Sequence, residues 1–196
     1  KICAAQAGNN WFSDRECLDD KHISVSGTSM ATPHVAGAIA LLKEKNPEWT
    51  PGEIKAALKG TAIDLGLSPI EQGTGRINVA ETARLDEKLP VAKISEMNYK
   101  ISGVIDIKGI ANGKNFKKYD VYYQKSGEGN WRLICSGYQQ IDNGILCREF
   151  DTSSINQGDY FLELRVYNKD GLFSADDILV KFNNFYIFNV GKSLNY

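Results

Sequence analysis

Two hydrophobic periods divide the chain. From Ser29 to about Thr82 apolar residues recur at helical spacing, and beyond Leu89-Pro90 they alternate with a period of two. Met30 to Lys45 is predicted as one helix. Val35, Ala36, Ala38, Ile39, Ala40, Leu41 and Leu42 make it apolar almost all round, the mark of a helix buried on every side. Pro33 is placed in an early turn, where a missing N–H costs little. Lys43 and Lys45 suit the negative end of the helix dipole, and Asn46-Pro47 stops the helix. Thr50-Pro51-Gly52-Glu53 is a capping box with proline at the first helical position, opening a second helix to about Lys59. Gly73 to Val79 reads as a turn and short strand, and Ala80 to Asp86 as a last helix.

After Leu89-Pro90 the strand candidates are Val91–Ile94, Ile101–Lys108, Tyr119–Gln124, Trp131–Cys135, Ile145–Phe150, Tyr160–Tyr167 and Ile178–Phe182. Asn112-Gly113, Gly127-Glu128-Gly129-Asn130, Asp142-Asn143-Gly144 and Asp170-Gly171 separate them as turns. About seven short strands with regular turns predict a β-sandwich. Tyr119, Val121, Tyr160, Leu162, Leu164 and Val166 form its inward set. Tyr122, Phe161 and Tyr167 face the other way, either covered by a neighbouring layer or offered to a protein or carbohydrate.

Formal net charge is −1, so nothing pulls the chain as a whole towards nucleic acid or an anionic membrane. The longest apolar stretch, Val35 to Leu42, is far too short to span a bilayer. The first residue is Lys1, and no secretory leader pattern follows it, so the chain is expected to begin inside a larger protein. The four cysteines fall into two local pairs, which suits an oxidising compartment. Short loops favour Cys3–Cys17 and Cys135–Cys147; four free thiols in a reducing compartment are the alternative. With no C-x-x-C and no ligand-like spacing to His22 or His34, zinc is not indicated.

The stretch from Ser26 to Gly37, Ser-Gly-Thr-Ser-Met-Ala-Thr-Pro-His-Val-Ala-Gly, carries the chemistry. It sets a serine at the mouth of an apolar helix. Gly27 allows a tight turn, and the first N–H groups of the helix lack intrahelical partners. A tetrahedral oxyanion beside Ser29 would be stabilised by those donors and by the dipole. On local physics alone Ser29 could equally be only an N-cap. Gly27 to Gly37, however, stands as the complete G-T-S-M-A-[ST]-P-H-V-A-G pattern and closely resembles the nucleophile segment of the subtilisin-like serine proteases. Asn46-Pro47-Glu48-Trp49-Thr50 and Gly73-Thr74-Gly75-Arg76-Ile77-Asn78 resemble later segments of the same family. The resemblance covers roughly residues 1–85.

That resemblance implies an α/β C-terminal portion of a subtilisin-like fold over 1–88, after which the strand pattern predicts an all-β sandwich domain over 90–185 and a tail over 186–196. It implies Ser29 as nucleophile, its own N–H as an oxyanion donor, and Thr28 in support. Met30 lies on the leaving-group side and is the expected site of oxidation. Gly27, Pro33 and His34 are structural members of the motif. His34 is five residues along the helix from Ser29, about 140° around it, and reads as a packed structural histidine rather than the base. Family order puts Asp and His far upstream of the serine. Neither His22 nor the acidic group Asp14, Glu16, Asp19 and Asp20 resembles a family triad motif. Ala7-Gly8-Asn9 mimics the motif of the side-chain oxyanion donor, but Asn9 stands too near Ser29 for that role, and Ile2 to Gln6 better resembles the strand preceding the nucleophile.

The expected protein is a secreted or cell-surface endopeptidase acting on polypeptides through an acyl-enzyme. Asp, His and Asn would come from the N-terminal portion of the same protease. No cofactor is required for the chemistry, with a structural calcium ion at Asp19 and Asp20 as a side expectation. The contrasting reading is an inactive fragment whose β-sandwich binds protein or carbohydrate.

Overall fold

A computed structural model describes residues 2–5, 22–67 and 69–184. Asn9, Asp14, Glu16, Cys17, Asp19 and Asp20, the Cys3–Cys17 bridge, the calcium expectation and the 186–196 tail lie outside the described residues. The chain forms two compact units, Lys1–Trp49 and Thr50–Tyr196.

In the first unit, β1 (Ile2–Ala5) pairs antiparallel with β2 (His22–Val25), and α1 follows over Thr28–Lys45. The strand that leads directly into the Gly27 turn is therefore β2. Asn46 N–H bonds the Leu42 carbonyl at 2.9 Å. Lys43 Nζ reaches the carbonyls of Pro47 and, at 2.8 Å, Trp49, so its charge closes the C-terminal end of the helix. The sequence predicts that the cover of so apolar a helix comes from upstream elements, and within the described residues most of α1 is bare. Only Ala38 and Leu42 are buried among its residues, while Ile39 is 39% and Leu41 61% exposed. Two residues apart, these lie about 200° from one another on the helix. The exposed apolar surface is thus not a single stripe, and one covering layer would leave half of it wet.

The second unit opens with α2 (Pro51–Gly60), whose capping box is formed. Glu53 N–H donates to Thr50 Oγ1 at 3.3 Å, and Thr50 N–H donates to Glu53 Oε2 at 2.7 Å. Two short helices follow, α3 (Pro69–Gln72) and α4 (Val79–Arg84). The sequence pattern missed α3. The short strand expected at Gly73 to Val79 reduces to one bridge between Ile63 and Arg76.

The strands are β3 (Val91–Ile94), β4 (Lys100–Ile101), β5 (Val104–Asn112), β6 (Phe116–Lys125), β7 (Arg132–Gly137), β8 (Ile141–Asp151), β9 (Gly158–Asn168) and β10 (Phe173–Phe182). They form a five-stranded sheet, β4-β10-β9-β6-β7, and a three-stranded sheet, β3-β5-β8. All pairings are antiparallel except β4 with β10. The unbroken alternation from Ile101 to Lys108 conceals a change of sheet. The backbone turns at Gly103, with φ at +72°, so Ile101 belongs to one sheet and Ile107 to the other.

Both sheets feed one hydrophobic core. Val121, Leu162, Leu164, Val166, Val180 and Phe182 come from the larger sheet, and Ile94, Ile107, Ala111 and Leu146 from the smaller. The Tyr119 hydroxyl crosses between them to the Leu146 carbonyl at 2.8 Å, which satisfies a buried polar group. The Cys135–Cys147 disulfide joins β7 to β8, with Cα atoms 5.9 Å apart. On the opposite face of the larger sheet Phe161 is buried too. Arg165 lies 4.8 Å from the ring centre of Tyr122 and Lys118 lies 5.1 Å from that of Tyr167, so these rings are taken up by cations of their own sheet.

Helix α2 packs against β10 and β3, burying Ile54, Ala57 and Leu58. Lys59 Nζ pairs with Asp176 Oδ1 at 2.6 Å, and Lys88 pairs with Glu53 at 2.9 Å. Burial opposes ionisation of Glu53. The Thr50 N–H and the Lys88 ammonium outweigh it and hold the carboxyl below its ordinary value.

A depressed carboxylate pKa contributes stability above the unfolded-state value, and that stability is lost as pH falls through the folded value. Glu53→Gln keeps the reach to Thr50 and removes the charge. Thermal melts should show the variant less stable than the parent at neutral pH, with the two converging below pH 4.5. A gap that stays constant with pH would count against the charge. Replacing both Cys135 and Cys147 by serine should cost about 3 kcal/mol in denaturant unfolding, the chain-entropy value for so short a loop.

Candidate functional site

The mouth of α1 is set by Gly27. Its φ of 151° and ψ of 167° fall where residues with a side chain are rarely found. The first helical bonds run from Met30 N at 3.0 Å and Ala31 N at 3.2 Å, both to the Gly27 carbonyl. The N–H groups of Thr28 and Ser29 therefore precede the intrahelical ladder. Ser29 is the second residue of the helix and is exposed. Gly27 holds the N-cap position, and no side chain caps the helix. The reading of Ser29 as a mere N-cap is thereby corrected. No acidic residue stands in the first turn, so nothing there competes with an anion for the positive end of the dipole.

Because α1 begins at Thr28, Pro33 is its sixth residue rather than part of an early orphan turn. Its missing N–H leaves the Ser29 carbonyl without the usual donor four residues on, and its ring crowds that carbonyl. Thr28 is exposed, and its own carbonyl accepts from Thr32 Oγ1 at 3.1 Å. His34 Nδ1 lies 2.8 Å from the Met30 carbonyl. A carbonyl only accepts, so Nδ1 carries the proton in that bond. The ring is tied to its own helix backbone, and it is exposed rather than packed. His22 opens β2, opposite Ala5. Met30 is half-buried, and a Cβ added at Gly27 would sit 3.8 Å from its sulfur. The arrangement offers an exposed hydroxyl beside N–H donors at a helix terminus, the half of an acyl-transfer site that a single backbone segment can build.

Residues 13–89 match the Subtilase family. Over 63 residues the chain is 49% identical to subtilisin Savinase of Lederbergia lenta, a match covering 32% of this chain and 23% of that protein. The alkaline protease of Shouchella clausii is likewise 49% identical over 63 residues, 32% of this chain and 16% of that one. The subtilisin of Bacillus pumilus is 51% identical over 59 residues, 30% and 21%. The chain thus spans less than a quarter of the length of these relatives. CopC from Methylosinus trichosporium OB3b aligns with 48% of this chain and 99% of its own, at 12% identity and a TM-score of 0.31, too weak a likeness to assign a fold.

The matched residues 13–89 run from the first compact unit into the second and take in α2, α3 and α4. Among the described residues no cluster of His, Cys, Asp or Glu is arranged to hold a metal, and no helix is long and apolar enough to cross a membrane.

The N-cap glycine of α1 and the glycine within it should respond oppositely to alanine. At Gly27 the added Cβ meets no clash, so Gly27→Ala isolates backbone strain and should destabilise the first unit by roughly 1–3 kcal/mol. At Gly37 a Cβ meets nothing within 4 Å. Gly37→Ala should therefore raise helix stability in this chain by about 0.5–1 kcal/mol. Circular dichroism melts of the two variants check the pair, and equal effects would refute the assigned role of Gly27.

Proposed function

We propose that Ser29 is the nucleophile of a serine endopeptidase that cleaves polypeptides through an acyl-enzyme. The observation that carries this is the position of Ser29 itself, exposed and second in α1 behind a glycine N-cap, within a complete Gly27–Gly37 motif. Ser29 Oγ attacks the scissile carbonyl carbon while its proton passes to a histidine base. The tetrahedral oxyanion accepts from the Ser29 N–H, with Thr28 in support. Collapse expels the amine, which takes the proton from the imidazolium, and water then cleaves the ester by the reverse proton route.

The base, its orienting aspartate and an asparagine donor come from the N-terminal portion of the protease, which also covers the exposed faces of α1 around Ile39 and Leu41. Serine without its partners contributes little, because triad members act as a unit, so the 196-residue chain alone is inactive. The reading as a secreted or cell-surface protein is supported by the Cys135–Cys147 bridge. The strands after Leu89 are a β-sandwich in this reading, supported by the core that the two sheets share.

In the protein extended by its N-terminal portion, a fluorophosphonate probe should label Ser29. Ser29→Ala should abolish labelling and peptidase activity together. Labelling of Ser26 or any other serine, with Ser29 unmodified, would overturn the assignment.

A further inference from the structure

A cleft of about 260 Å³ opens in the second unit between the β6–β7 hairpin and the loop before β9. One wall carries Gln124, Lys125, Glu128, Asn130 and Arg132, and the other Ser154 and Asn156. The loop wall is pinned from three sides. Thr152 Oγ1 bonds the Gly103 carbonyl at 2.8 Å, Asn184 Nδ2 bonds the Ile155 carbonyl at 2.9 Å, and the Tyr160 hydroxyl bonds the Asn156 carbonyl at 3.0 Å. The backbone of that wall is therefore fixed before binding, which lowers the ordering cost on that side.

Three features define what it would hold. Among the described residues, the side chains of Gln124, Asn130, Ser154 and Asn156 make no hydrogen bond, so four neutral polar groups line the cleft unused. Two cations, Lys125 and Arg132, face one acid, Glu128, which lies 3.7 Å from Lys125. One positive charge is left over, which a monoanion neutralises and a phosphate dianion overshoots. The tyrosine faces are already occupied. Tyr160 lies 4.6 Å from the Phe182 ring and Tyr123 lies 5.7 Å from that of Phe150, with Arg132 5.9 Å above Tyr123. No aromatic platform remains for a sugar ring.

We infer that this cleft is a binding site for a carboxylate side chain of an acidic peptide. The carboxylate lies between Arg132 and Lys125 in charge-assisted hydrogen bonds. The amides of Gln124, Asn130 and Asn156, each both donor and acceptor, pair with the flanking peptide groups. The volume falls below the roughly 300–1,000 Å³ of drug-sized pockets and suits a side chain with its adjoining backbone. This inference does not rest on Ser29, and its readout is binding rather than activity.

Fluorescence anisotropy of the 196-residue chain at low salt tests it, with a fluorescein-labelled alanine-rich peptide carrying one central glutamate. The peptide should bind saturably, and its glutamine counterpart about tenfold more weakly. Arg132→Gln should weaken binding by a similar factor. Glu128→Gln, which removes the competing acid, should strengthen it about threefold, a gain that misfolding cannot mimic. Lys108→Gln, an exposed cation on β5, should leave it unchanged. Equal binding of the two peptides, or indifference to Arg132→Gln, would overturn the site. Displacement by acetate or inorganic phosphate at concentrations like those of the peptide would overturn the peptide assignment in favour of a free anion.

Discussion

One carboxylate holds the second unit together. Asp176 lies on β10 with its side chain only 13% exposed. One oxygen takes the Lys59 ammonium at the end of α2, and the other takes the Ile94 N–H of β3 at 2.9 Å. A helix and a strand from each sheet thus meet at one charge. The two donors offset the cost of taking that charge largely out of water, and loss of Lys59 would leave it with the single backbone donor. A helix of 10 residues is marginal in water by itself. Helix α2 persists because its capping box supplies the start, its apolar face lies on β10 and β3, and Asp176 fastens its end. The later part of the stretch that matches the Subtilase family therefore owes its placement to strands beyond the matched residues 13–89.

Helix α1 is governed by the opposite circumstance. Its sequence asks for apolar neighbours on every side, yet Ile39 and Leu41 stand exposed on different faces. Its N-terminus is nevertheless formed, because the elements that shape it are local: the backbone at Gly27, the bonds to its carbonyl, and Pro33 beside the Ser29 carbonyl. A nucleophile seat can be built by ten consecutive residues. A general base and a specificity pocket cannot, since they need side chains brought from distant strands.

This difference also sets what could be read from the chain. The capping box at Thr50, the inward set from Tyr119 to Val166 and the change from helical to strand period were legible because each is written in adjacent residues. The sheet change at Gly103 was not, since the alternation continues across it and only the turn at positive φ reveals it. The start of α1 at Thr28, and hence the true place of Pro33, turned on two residues at a helix end, where patterning is least informative. The burial predicted for α1 described the company the helix requires, which these residues do not provide. Asp176 was invisible as a junction, because its two partners lie 117 and 82 positions away. The polar cleft was invisible for the same reason: Arg132 and Ser154 belong to no common pattern.

The second unit supplies its own core, with α2 burying apolar residues and buried residues on every strand from β3 to β10 except β7. The Cys135–Cys147 bridge fastens β7 covalently to the opposite sheet. Such a unit needs nothing from Ser29 to stand, so its retention on the same chain calls for a reason beyond folding. Tethering supplies one. A site that holds an acidic peptide only weakly in free solution acts at a far higher effective concentration towards any second site on the same chain that engages the same peptide. The gain needs no new contact at the second site. A cleft with one surplus positive charge would then favour substrates carrying an acidic residue at a distance from the scissile bond. Under the proposed function, selectivity of that kind would lie in the second unit, leaving Ser29 to supply the chemistry alone.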